Sequence, residues 1–68
     1  MKIYLLIGLD GDGEDCVWGV YEDRKEATAR LQEARANWMK EGTAYGKRHA
    51  DAMRMVELVQ GFGTFELY

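Results

Sequence analysis

Acidic residues at alternate positions are the first feature of this sequence that could bind a ligand. Asp10, Asp12 and Glu14 have the spacing of the first three ligands of a calcium-binding loop. Such a loop also needs a glycine at its sixth position and a bidentate acid at its twelfth, where this sequence has Asp15 and Tyr21. The pattern therefore predicts no metal site. It predicts an acidic turn, either simply solvated or docked against a partner protein, with Asp10, Asp12, Glu14 and Asp15 as candidate partner contacts.

Nucleophilic catalysis would depend on Cys16 and His49, the single cysteine and the single histidine. They fall in different predicted elements and no third residue is evident that would orient them, so we predict no catalytic residues and no enzyme. One cysteine cannot form an internal disulfide, and one cysteine with one histidine cannot complete the usual zinc ligand sets. We expect no cofactor. The run 61–63 precedes a predicted strand rather than a helix, so it is interpreted as a turn and not as a phosphate-binding loop.

Charge is unevenly distributed along the chain, which carries a net charge of −3. Residues 1–23 hold six acidic and one basic side chain, whereas residues 24–54 hold eight basic and four acidic ones. This separation would steer an acidic hairpin toward a basic surface on a partner. The alternative function, weak nucleic-acid binding, rests on the basic residues of the helical half, although no aromatic side chains are interleaved with them. These are Arg24, Lys25, Arg30, Arg35, Lys40, Lys47, Arg48 and Arg54.

Length and composition predict one small folded domain spanning residues 1–68. The sequence is 47% hydrophobic, with 8 glycines and no proline, which is too apolar for a disordered tail. Its longest apolar run, Ile3–Ile7, is far shorter than a membrane-spanning helix, and no signal-like segment is evident. We expect a cytoplasmic protein with no membrane partner.

Four elements follow from the hydrophobic pattern. Residues 2–9 predict a central strand, because both of its faces are apolar, and residues 16–21 predict a second strand joined to it through the acidic turn. Asp23, with Glu26 three residues later, predicts a helix start, and Gly42 predicts its end at about Lys40. That helix would bury one stripe, and residues 62–68 predict a short last strand. The stripe is Ala27, Leu31, Ala34 and Trp38.

Residues 43–60 are ambiguous between two structures. Apolar residues at helical spacing favour a second helix that ends at Gly61, although residues 53–59 would also suit a strand. The favoured fold is therefore α+β, ββααβ, with a three-stranded antiparallel sheet in the order 2-1-3 and both helices on one face. The alternative fold is ββαββ, with a C-terminal hairpin through residues 60–63.

The run 17–27 (Val-Trp-Gly-Val-Tyr-Glu-Asp-Arg-Lys-Glu-Ala), preceded by the hydrophobic strand 2–6 and an acidic turn, resembles a group of small, mostly uncharacterised phage and prophage accessory proteins. These begin with a hairpin, continue into an alanine-rich helix and end in a short strand similar to residues 63–67. The resemblance covers about half the chain and its motifs are structural. It implies an inhibitor of a host or defence complex, anti-CRISPR-like, acting in the host cytoplasm.

Strand alternation assigns the candidate binding face. If the isoleucines and leucines at positions 3, 5, 7 and 9 face the helices, Tyr4 and Leu6 face away from them. The hairpin register that we favour adds Trp18 to that outer face, with Val17 and Tyr21 inside. An exposed cluster of Tyr4, Leu6 and Trp18 would bind a host protein or form a homodimer. We expect Tyr68 to add exposed aromatic surface at the end of the chain.

Overall fold

The computed structural model describes residues 2–67, so the prediction for Tyr68 lies outside the described residues. The chain is α+β, with two helices and an antiparallel sheet whose strands lie in the order β2-β1-β3-β4. The sheet has four strands rather than the three expected. The elements are β1 Lys2–Leu9, β2 Asp15–Tyr21, α1 Arg24–Lys40, α2 Ala44–Ala52, β3 Arg54–Val59 and β4 Gly63–Glu66.

Local signals placed the ends of α1 correctly. The Asp23 side chain accepts a hydrogen bond from the Lys25 backbone N–H at 3.0 Å, which satisfies one of the free donors at the start of the helix. Gly42 follows the helix with a φ of 65°, a conformation that glycine adopts without steric cost. The predicted stripe is also confirmed, because Ala27 and Leu31 are buried and the rest of it packs against them.

The favoured helix over residues 53–59 is wrong, and the extended alternative is right for that segment. α2 ends at Ala52, and Met53 already has extended backbone angles, φ −67° and ψ 127°. β3 pairs with β1 on one side and with β4 on the other, so its backbone groups find partners in two neighbouring strands. Apolar residues occupy most positions of this segment, which is why helical spacing could be counted there. The fold is ββααββ, and β1 is central between β2 and β3 rather than beside the last strand.

The predicted orientation of β1 is also wrong. Tyr4 and Leu6 are only 8% and 3% exposed, and they form the core with residues of α1 and β3. Gly8 lies on the same face of the strand, where a Cβ atom would be 2.6 Å from the Trp18 indole nitrogen. This glycine lets large side chains lie directly against the strand, and the helices cover that face. The buried core residues are Tyr4, Leu6, Ala27, Leu31, Ala50, Met53 and Met55.

A β-bulge changes the alternation in β2. Leu6 pairs with Gly19 but Ile7 pairs with Val17, so Trp18 is the extra residue. Its ring lies on the helix side, edge-to-face with Trp38 at 6.2 Å between centroids. Trp18 is therefore not on the face opposite the helices, and Val17, expected inside, is on that face instead. Tyr21 packs against the core, as expected.

Candidate functional site

The sheet has one face that no described helix covers, and seven aliphatic side chains lie on it. Residues paired directly across antiparallel strands share a face, and Leu5 pairs with Val20 on one side and with Val56 on the other. Tyr4 and Leu6, the neighbours of Leu5 in the strand, are buried beneath the helices, so Leu5 and its partners point the other way. We call this surface the open face, defined by Ile3, Leu5, Ile7, Val17, Val20, Val56 and Leu58.

Exposure differs across the open face. Val17 and Val20, on the edge strand β2, are 56% and 61% exposed. The members on β1 and β3 are partly buried by their neighbours in the sheet. At one end, Ile3 and Leu58 continue into a shallow apolar groove beside the β3–β4 turn, where Phe62 is 76% exposed. The result is a continuous aliphatic surface in contact with water.

Three charged side chains close the opposite end of the open face. Arg54 donates two hydrogen bonds to the Asp15 carboxylate, at 2.8 and 3.3 Å, and its Nε lies 3.9 Å from a carboxylate oxygen of Glu66. The hydrogen bonds from Arg54 hold the pKa of Asp15 below its ordinary value and, reciprocally, raise the pKa of Arg54. Because Asp15 is on β2 and Arg54 on β3, this bidentate pair spans the end of β1.

The acidic turn predicted as a partner contact is present, but its four residues have different roles. Asp10 holds the turn together, since its side chain accepts hydrogen bonds from the backbone N–H groups of Asp12 and Glu14 at 2.8 and 3.0 Å. Asp15 is paired with Arg54. Asp12 and Glu14 are exposed. Two of the four acidic side chains are therefore engaged within the chain, and two project into water.

His49 is buried, although the sequence indicated an ordinary polar helix residue. It is 4% exposed and stacks on Trp38, with 4.1 Å between ring centroids and a 23° interplanar angle. The Tyr45 ring also lies against His49, with 4.4 Å between the two ring centroids. His49 Nδ1 has no hydrogen-bond partner among the described residues. Cys16, on β2, is a partly buried free thiol. The stacking of His49 on Trp38 packs α2 against α1.

The structure separates the predicted binding residues. Tyr4 and Leu6 are in the core, Trp18 is 48% exposed on the helix side, and the acidic turn lies beyond the end of the sheet. The sequence predicted a binding face opposite the helices but assigned the wrong residues to it, because both faces of β1 are apolar. A usable signal was present: Gly8 and Gly19 both lie on the buried face, where Cβ atoms would collide with the Trp18 and Tyr21 rings.

Comparisons with known proteins add no functional assignment. Protein-family models, curated proteins and solved structures give no match to this chain. Within residues 2–67, no three histidine, cysteine or acidic side chains are grouped so that they could hold a metal ion. Neither helix in that part of the chain has the length and apolar composition needed to cross a bilayer.

Proposed function

We propose that this chain is a non-enzymatic protein-binding module whose docking surface is the open face. The observation that carries the proposal is the row formed by Val20, Leu5 and Val56 across three adjacent strands, aliphatic and uncovered. Small soluble domains rarely leave a contiguous apolar surface in water unless another molecule covers it. A flat aliphatic sheet face is suited to packing against another protein, because it has no enclosed pocket for a small ligand.

A more specific form of this proposal is a phage-type inhibitor that blocks a host or defence complex, acting in the host cytoplasm. It rests on the resemblance of residues 17–27 and their flanking strands to phage accessory proteins. The two exposed acids of the hairpin turn, Asp12 and Glu14, support it by providing negative charge that would attract a basic partner.

The contacts of the basic residues favour a protein partner over nucleic acid. Arg35 donates two hydrogen bonds to the Met53 carbonyl oxygen, at 2.7 and 3.2 Å. Arg54 is held by Asp15, and Arg30 pairs with Glu33. At least three of the eight basic side chains of the helical half are thus engaged within the chain, which weakens the case for a phosphate-binding surface.

Matched charge substitutions test the proposal. Val20→Lys adds a charge to the open face, and Met39→Lys adds the same charge on α1, where Met39 is 54% exposed. We expect Val20→Lys alone to reduce protein association, measured both as self-association in solution and as capture of proteins from bacterial lysate. Equal behaviour of the two variants, or no association of the folded wild-type chain, would contradict it.

Two further results would favour other functions. A catalytic activity that is present in the wild type and lost on Cys16→Ala or His49→Ala would support the hypothesis that the chain is an enzyme. A gel shift that weakens steeply with salt would support nucleic-acid binding.

A further inference from the structure

We infer that the molecule covering the open face is a second copy of this chain, packed sheet against sheet. The inference rests on the proposed function, that the open face binds protein, and it names a second copy as the bound protein in place of a host complex. Each copy would bury its open face against the same face of the other, related by a twofold axis lying between the two sheets. The dimer would have four layers, with the helices outside and both sheets inside.

The burial achieved by one chain is the first reason for a second copy. Seven apolar residues are buried on the helix side of the sheet, and seven more are left on the open face. A domain this small gains stability from any constant partner, and another copy is always present at the chain's own concentration.

The second reason is that the open face is complementary to itself. Its centre, at Leu5, carries no charge, so stacking two copies buries no unpaired ion there. Its charged end contains both signs, with Arg54 between Asp15 and Glu66, so two such ends do not repel each other as single-sign patches would. A partner recognised by charge would instead favour a face of one sign.

The area available is the third reason. The whole uncovered side of the sheet adds Thr64 and Glu66 of β4, which pair with Leu58 and Val56, to the open face. Its four strands, about 4.8 Å apart and about six residues long, present roughly 400 Å² in projection, and the side-chain surface exceeds this. Two such faces therefore approach the roughly 1,000 Å² of total buried surface at which specific association begins. The acidic turn lies beyond the end of the sheet, so Asp12 and Glu14 stay exposed in the dimer.

Sedimentation equilibrium of the purified wild-type chain tests the inference, with Val20→Lys and Met39→Lys as the matched pair. We expect the wild type and Met39→Lys to sediment with twice the 7.8 kDa chain mass. Val20→Lys should raise the dissociation constant by about tenfold or more, because a lysine would be buried among aliphatic side chains. Added salt should not dissociate the dimer, since apolar burial and not charge holds it together.

The outcomes separate this inference from the proposed function. A wild-type chain that remains monomeric up to high concentration, yet captures a different protein in a Val20-dependent way, overturns the second copy and keeps the docking surface. A monomer that captures nothing overturns both. A dimer that Val20→Lys leaves intact places the contact elsewhere and overturns the inference as well. If Val20→Lys fails to fold, Val17→Lys replaces it, because Val17 is 56% exposed on the same face.

Discussion

The two faces of this sheet are both apolar, yet the shapes of their side chains differ, and shape determines what can pack against each face. The covered face presents Tyr4, Leu6 and Met55 around the space that Gly8 leaves open, and α1 adds Ala27 and Leu31 to the same core. The open face presents branched and aliphatic side chains with no glycine among them. Large side chains beside a gap can interlock with a helix layer, whereas an even aliphatic surface packs better against another flat layer. Close-packing geometry distinguishes the faces where hydrophobicity does not.

Truncating adjacent leucines of β1 gives the largest expected difference between the faces. Leu6→Ala should lower the free energy of unfolding by about 2–4 kcal/mol, because it leaves a cavity in the core. Leu5→Ala, on the open face, should cost about 1 kcal/mol in the monomer, because Leu5 is only partly buried. Urea unfolding at low protein concentration measures both. Equal losses would contradict the face assignment, and Leu6→Val provides the comparison if Leu6→Ala does not fold.

A glycine substitution tests the gap on the covered face. An added methyl group at Gly8 would meet the Met53 sulfur and the Trp18 ring, so Gly8→Ala should destabilise the chain by about 1–3 kcal/mol. Gly11 is the control, because a Cβ atom there would have no neighbour within 4 Å. Thermal unfolding should show a lower midpoint for Gly8→Ala than for Gly11→Ala. If Gly8→Ala left the midpoint of thermal unfolding unchanged, the space at Gly8 would not be required for Trp18 to pack against β1.

The sequence predicted elements better than it predicted faces. Asp23 and Gly42 mark the two ends of α1 through local hydrogen bonding and backbone conformation. The acidic turn between two β-rich runs indicated the hairpin. The helix ends and the hairpin could therefore be predicted from neighbouring residues. β3 could not, because its strand character depends on pairing with β1, which is distant in sequence, as well as with the neighbouring β4. The orientation of β1 was wrong because both faces of that strand are apolar, so alternation alone did not distinguish them. The side assigned to Val17 was wrong because a bulge at Trp18 shifts the alternation in β2 by one residue.

A buried polar atom on the covered side allows a stabilising change. His49 Nδ1 is buried without a hydrogen-bond partner, which costs about 1–3 kcal/mol. His49→Phe keeps a ring stacked on Trp38 and removes that atom, so we expect the midpoint of thermal unfolding to rise. His49→Ala is the control, and it should lower the midpoint because the ring is lost. If His49→Phe were as damaging as His49→Ala, the nitrogen would have to be satisfied, for instance by a water molecule.

The smallest expected effect is at the charged end of the open face. Asp15 has a lowered pKa in the folded chain because Arg54 donates hydrogen bonds to its carboxylate. Ionisation of the Asp15 carboxyl group therefore stabilises the folded chain. This contribution is fully present above the ordinary value of 3.8 and is lost as the pH falls through the lower pKa of the folded state. The Asp15 side chain is 60% exposed and that of Arg54 is 28% exposed, so water screens the pair, the effect is small and salt weakens it.

Asp15→Asn should consequently be slightly less stable than the wild type at neutral pH, and this difference should shrink as the pH falls below 3.8. Asp12→Asn removes an exposed carboxylate from the same hairpin outside the ion pair and controls for the change in net charge. Chemical unfolding at several pH values, at low and high salt, measures the difference. A gap between Asp15→Asn and the wild type that stays constant with pH would show that the pair with Arg54 does not stabilise the fold. The charged end of the open face would then be stabilised by β-sheet pairing alone. Asp15 and Arg54 could separate without a loss of stability when another molecule covers the face.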